Sequence, residues 1–275
     1  MKFKGIEFNL GVSKKFDKDF ARVKEIMTNK EMSEADRTEL LMIYAPSYHD
    51  SGKIEGITSC DSSCSSCKFC QKMIDAAEKD VTIICGDCYD KQQEEYKTHV
   101  KNRHGLNMLI MSQVEFTEDE LKRVDLTKIV RINSSGDTPN ETYALNMIRL
   151  AKVNPWANVA YWAKNTAPII KAVDSIGKPE NLRLVQSSPI IGKPVKKKKY
   201  FDYVFTVYPD KATTLKAIED GASACNGRKC KDCGYACYLG THGSDQIAEV
   251  ARGINKEKRE AIIKALEAIV KYSGR

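Results

Sequence analysis

The chain has 275 residues and 42% hydrophobic content, enough to bury a sizeable core in one α/β domain with additions. The 44 basic and 37 acidic residues give a net charge of +7, which permits contact with nucleic acid without requiring it. Residues 1–10 lack the apolar run of a secretory leader, and no stretch approaches the ~18 apolar residues of a membrane span. A soluble, cytoplasmic protein without membrane contact is therefore expected. In a reducing compartment, its ten cysteines read as metal ligands or redox groups rather than disulfides.

Residues 1–50 read as a helical lead-in. Phe16, Phe20, Val23, Ile26 and Met27 recur at helical spacing. Ser33 begins a second helix, with Asp36 three residues on as a capping-box analogue and Leu40, Leu41 and Ile43 as apolar positions. Ala45-Pro46-Ser47 ends it. Residues 54–59 then form a weak strand leading into the first cysteines. A helix is expected over 68–79, a strand over 81–84 ending at Cys85, and a helix over 96–104 with His99 and Arg103 on one face. Residues 106–111 fit either type, and 117–123 are helical.

The centre is more regular. Residues 128–133 are a strand running into Ser134-Ser135-Gly136-Asp137, and a helix follows from Pro139-Asn140 to about Val153. Strands at 158–162, 182–186 and 203–208 are expected, with helices at 166–176 and 211–219. Beyond the cysteine loop at 225–237, helices are expected over 244–252 and 255–271, the latter presenting Ile262, Ile263, Leu266 and Ile269. Strands alternating with helices of about 10–15 residues imply βαβ units and a parallel sheet. About six such units suit a partial (β/α) TIM-like barrel better than a closed eight-fold one. The expected division is a lead-in over 1–50, a cysteine-rich partial barrel over 51–240, and C-terminal helices over 241–275.

Every cysteine belongs to a group. Cys60, Cys64, Cys67 and Cys70 fall within eleven residues, Cys85 and Cys88 follow, and Cys225, Cys230, Cys233 and Cys237 close the set. Chelation by thiolates needs several on a short, turning backbone. The spacing Cys60-x3-Cys64-x2-Cys67 is that of radical S-adenosylmethionine enzymes, whose three thiolates hold a [4Fe-4S] cluster with one iron open. Here Ser66 precedes the third cysteine where an aromatic is usual, and the chain contains no Gly-Gly for the cofactor. The second group suits a [4Fe-4S] cluster or structural zinc, with Asn226-Gly227 as a turn and Gly234 easing the backbone. Which four of the six N-terminal thiols close a site stays open.

Strand ends in parallel α/β folds gather functional groups. Those ends offer Ser134, Ser135, Gly136, Asp137, Lys164, Asn165, Ser187 and Ser188. Asp137 is the candidate catalytic residue, as a base or an acceptor for a ligand hydroxyl, with helix capping as the alternative. Ser134, Ser135, Gly136, Lys164 and Ser187 are candidate cofactor contacts. Trp162 is expected in the core. His49, His99 and His104 are scattered, and His242 follows Cys237 closely enough to be a ligand. Lys196–Lys199 reads as a solvated loop, with a phosphate-contacting patch as the alternative. The phosphate-binding, dinucleotide, zincin and serine-hydrolase motifs are all absent.

Four segments together resemble the phage "gene product 88" family of phages and bacterial mobile elements. They are the cysteines leading to Cys88-Tyr89; Val130–Asp137; Asn154-Pro155 before Val159–Asn165; and Cys225 to Cys237. The resemblance implies a barrel-like α/β domain with cysteine-bound metal, similar to radical S-adenosylmethionine folds, in the cytoplasm of a bacterial host. It supplies no activity. Many relatives carry His where Asn133 stands, so no role of that histidine transfers. The leading expectation is an iron–sulfur protein with one or two [4Fe-4S] clusters and radical or redox chemistry near Asp137, S-adenosylmethionine being its optional cofactor. The alternative is structural zinc in a nucleic-acid-binding protein.

Overall fold

The computed structural model describes residues 1–8, 14–29, 31–225, 229–251 and 254–273, with side chains to residue 268. Asn226, Gly227, Arg252 and the Ile269 side chain lie outside the described residues. β1 (Lys2–Phe3) and β2 (Ile6–Glu7) form an antiparallel hairpin. α1 (Lys14–Thr28) buries the five apolar residues read from its spacing. α2 (Glu34–Ile43) is capped by Ser33, whose Oγ accepts the Asp36 N–H while Asp36 accepts the Ser33 N–H, each at 3.1 Å. β3 (Ser47–Tyr48) and β4 (Thr58–Cys60) follow, then α3 (Lys68–Ala77), α4 (Tyr89–Tyr96), α5 (Thr98–Gln113) and α6 (Glu118–Leu121). The centre runs β5 (Ile129–Ile132), α7 (Glu141–Val153), β6 (Asn158–Ala163), α8 (Ala167–Ile176), β7 (Leu182–Ser187), β8 (Tyr203–Tyr208) and α9 (Lys211–Glu219). The chain ends with β9 (Ser223–Ala224), α10 (Ala236–Leu239), β10 (Gln246–Val250) and α11 (Lys256–Ser273).

Eight strands make one sheet in the order β3-β4-β5-β6-β7-β8-β10-β9. Every pairing is parallel except the edge pair β3–β4. The ends of this order are β3 and β9, and no pairing between them closes the sheet among the described residues. β10 enters between β8 and β9, so the C-terminal cysteine segment is the connection from β9 back into the sheet.

Side-chain alternation divides the sheet into two unlike faces. Val130, Ile132, Val159, Tyr161, Leu182 and Leu184 pack with α1, α2, α5, α7 and α8 in the main core. The opposite face carries Ile129, Ala160, Trp162, Val185, Tyr203 and Ile247, packed with Ile57 and Tyr238 of α10. Cys225, Cys230, Tyr235 and Cys237 pack on that face, and its Arg131, Trp162 and Phe205 line the cavities.

Two local expectations change, and one left open is decided. Residues 81–84 are not a strand: Asp80 Oδ1 accepts from Thr82 N at 2.9 Å and Thr82 Oγ1 at 2.7 Å, and a 3-10 turn follows at Ile84–Asp87. Such local side-chain bonds compete with ladder pairing; only Ile83 bridges, to Ile190. Residues 244–252 hold strand β10 rather than a helix, because Ile247 and Glu249 face one side, Ala248 and Val250 the other, and β8 offers an open partner. Residues 96–104 and 106–111 belong largely to one helix, α5, buried almost all round from Asn102 to Ser112. Such a helix shows no amphipathic stripe, which is why its sequence fits either type.

Candidate metal centre

Cys60 ends β4 and turns into the main core, fully buried beside Tyr44 and opposite Ile132 in register. Burial pushes its thiol up to about 12. Cys67 and Cys70 belong to the same core cluster, but the cavity at the strand ends is lined by Cys64, Cys70, Cys85 and Cys88 and not by Cys60. Interaction with Cys70 and Cys88 lowers the Cys64 thiol to about 6 and raises both partners, and Cys70 likewise lowers Cys67. A chain of contacts thus runs Cys88–Cys64–Cys70–Cys67. Cys85 lies in the 3-10 turn and lines the same cavity as Cys64, Cys70 and Cys88. Two of these residues stand at helix starts. Cys67 precedes α3, where the amides of Phe69 and Cys70 face its sulfur, and Cys88 precedes α4. Unpaired amides and the helix dipole favour a thiolate there.

Behind this loop lies a buried polar network invisible in the motif. Glu94 of α4 accepts from Ser63 Oγ at 3.0 Å, Cys64 N at 3.0 Å, Ser65 N at 2.9 Å and Ser65 Oγ at 2.6 Å. His104 Nδ1 lies 3.3 Å from Glu94, and its Nε2 lies 3.9 Å from Asp61. Burial alone would favour neutral His104, but the hydrogen bond to Glu94 and the nearby Asp61 outweigh it and raise its pKa. Asp61 accepts from Ser59 Oγ at 2.5 Å, Ser134 Oγ at 2.6 Å and Ser135 N at 2.9 Å. The loop after β4 is thereby tied to the loop after β5. Gly136 completes the joint at φ +75°, where an added Cβ would lie 2.2 Å from Ser62 O.

The strand-end residues have distinct places. Asp137 is buried; its Oδ1 accepts from Thr138 N at 2.7 Å and Asn165 N at 3.3 Å, its Oδ2 from Lys164 N at 2.9 Å. It holds the β5 and β6 loops together while lining the cavity. Burial raises its pKa, and Lys164 and the three amides hold it partly down. Ser134 is engaged by Asp61, and Ser135 Oγ is sealed without a partner. Lys164 and Ser187 line the cavity. Burial opposes the Lys164 charge, but Cys85, Asp137, Cys88 and Cys70 around it raise its pKa. This cavity measures 150 Å³.

A second cavity, of 180 Å³, is lined by all four C-terminal thiols together with His242. His242 Nε2 lies 3.1 Å from Cys237 Sγ. Gly234 takes a left-handed φ of 65° between the ligand positions, as its place in the sequence suggested. Burial pushes Cys237 up to about 12 and raises Cys230. Arg131, Trp162 and Phe205 line both cavities, so Trp162 is a partition as well as a core residue. Arg131 sits 4.2 Å above the Trp162 ring. His49 donates to or accepts from Ser59 Oγ at 2.7 Å, behind Asp61. In the lysine loop, Lys197 pairs with Asp245 and Lys199 with Asp174, each at 2.9 Å.

Among the described residues, no three His, Cys, Asp or Glu side chains converge on the position of one metal ion. The sequence also holds a second three-thiol spacing beside the Cys60 triplet: Cys64-x2-Cys67-x2-Cys70, the spacing of bacterial ferredoxins.

Fold and site together define an α/β protein with two thiol-rich segments on one side of a mostly parallel sheet. The chain belongs to the Gene product 88 family, whose model matches residues 23–252. No curated protein and no solved structure matches it. Among the described residues, no helix is long and apolar enough to cross a membrane.

Proposed function

We propose that this protein is a redox iron–sulfur protein whose first [4Fe-4S] cluster is held by Cys64, Cys67, Cys70 and Cys88, with a second at Cys225, Cys230, Cys233 and Cys237. The observation that carries this reading is the gathering of Cys64, Cys70 and Cys88 around one cavity, with Cys67 and Cys88 at two helix starts. Helix N-termini favour thiolates, the form that binds iron. Lys164 stands beside the same thiols and offsets their negative charge. The Glu94–His104–Asp61 network would fix the ligand loop, the role that outer-shell hydrogen bonds play in metal sites. A cluster supplies one-electron transfer when bound; Asp137 and Lys164 would face its reaction partner at the strand ends.

The arrangement bears on S-adenosylmethionine. An open iron needs a three-thiol site, and Cys60, the first member of that spacing, points into the main core. Four neighbouring thiols favour electron transfer over cofactor binding. Strand order β4 to β8, each strand beside its successor, supports the partial-barrel reading of the sheet. With the family's phage character, we place the protein in the cytoplasm of a bacterial host. One observation favours zinc at the C-terminal group: His242 beside Cys237 adds a nitrogen donor. Nucleic-acid binding has weaker support, since Lys197 and Lys199 are paired with carboxylates. Anaerobic purification followed by iron, sulfide and zinc analysis tests the assignment. Iron and sulfide in near-equal amounts support it; stoichiometric zinc without iron overturns it.

A further inference from the structure

The sheet face that carries the cavities also carries an uncompensated cation. Arg131 lies mid-strand on β5, surrounded by Trp162, Phe205, Tyr238 and the two thiol groups. Its Nε is sealed from solvent without a hydrogen-bond partner, and the guanidinium makes no ion pair among the described residues. Its one close partner is the Trp162 ring, 4.2 Å away. Lys164, just past the end of the neighbouring strand β6 and lining the same cavity, likewise makes no side-chain hydrogen bond or ion pair among the described residues. Holding a partly buried charge without a direct ion pair is costly, and an anion seated against both groups would offset that cost.

The carboxylates on the same wall do not do so. Asp137 spends its oxygens on three backbone amides. Asp90 also lines the cavity, but it forms no ion pair with Arg131 or Lys164 among the described residues. We infer that the 150 Å³ cavity between the strand ends and the first thiol group binds a small molecule through an oxyanion, carboxylate or phosphate, with Arg131 and Lys164 as its cationic contacts. A planar guanidinium laid against an indole keeps one edge free, and that edge matches two oxygens of a carboxylate or phosphate at once. The oxyanion site stands on Arg131 and Lys164 and does not require the iron–sulfur assignment.

The chain has two tryptophans, and Trp156 is exposed. W156F therefore leaves Trp162, which touches Arg131, as the sole reporter. The full chain is purified anaerobically, its metal content recorded, and inorganic phosphate and malonate are titrated separately at constant ionic strength with chloride as control. Calorimetry reads affinity and Trp162 emission reads location. Saturable binding of one oxyanion is expected, weakened roughly tenfold or more by R131Q and measurably by K164Q. The phosphate and malonate arms tell a phosphorylated ligand from a carboxylated one. If R131Q does not fold, K164Q alone carries the comparison. Absence of saturation for both anions, or affinity unchanged in the folded variants, overturns the inference. Iron retained in that case would leave the metal assignment standing, so the two failures are distinguishable.

Discussion

Replacing Glu94 with Gln keeps the shape of the ligand-loop anchor and removes its charge. In the native protein both carboxylate oxygens accept: one from Cys64 N at 3.0 Å and His104 Nδ1 at 3.3 Å, the other from Ser63 and Ser65. A glutamine offers one acceptor oxygen and one NH2. If the oxygen serves the serines, the NH2 meets the Cys64 N–H as donor against donor. An orphaned buried donor costs about 1–3 kcal/mol, and hydrogen bonds to a neutral acceptor are weaker by roughly 1 kcal/mol each than those to a charged one. The expected loss is about 2–4 kcal/mol, allowing for partial relaxation. Urea unfolding should show a lower midpoint at unchanged slope. Because the amide that reorients belongs to a ligand residue, metal retention under a chelator should fall by roughly 10–100-fold. A stability within about 0.5 kcal/mol of wild type, with unchanged metal retention, would refute the view that Glu94 anchors the loop.

Other expectations follow from single residues. G136A should cost well over 2 kcal/mol or abolish folding, because its Cβ meets Ser62 O at 2.2 Å; G234A, with the same sign of φ and open space around it, should cost only about 1–2 kcal/mol. Thermal melts of the two would separate clash from backbone strain. Acid should remove a specific contribution: Arg37, at 2.5 and 2.8 Å, holds the Glu120 carboxyl at about 2, below its ordinary 4.5. A depressed carboxylate stabilises fully above its unfolded value, so this contribution is lost as pH falls from about 4.5 toward 2, and E120Q should flatten that part of the stability profile. C60S should lower stability without changing the metal content of the first group, whereas C88S should remove that metal; loss of metal from both variants would return Cys60 to the ligand set.

Much of the scaffold was legible from residues. The strands at 128–133, 158–162, 182–186 and 203–208 are runs of β-branched and aromatic residues between helices of ordinary length, and burial on both faces left little room for another reading. The segments that differed are those where tertiary pairing decides. Residues 81–84 have strand-forming side chains, but Asp80 claims the Thr82 amide. Residues 246–250 are too short and mixed to announce a strand until β8 supplies a partner. The site shows the same division. That every cysteine falls in a group is visible in the sequence; that strand alternation turns Cys60 toward the main core depends on the pairing of β4 with β5. Glu94, His104 and Arg131 carried no motif. Their importance comes from burial and from what they face, and both depend on elements far apart in the chain.

Iron and acid-labile sulfide per chain, measured on anaerobically purified wild type beside C64S and C230S, test the central claim most directly. Two occupied groups would give about eight irons and eight sulfides in wild type, and about four of each when either group is broken. Zinc without sulfide in wild type, or iron unchanged in C64S and C230S alike, would contradict the account.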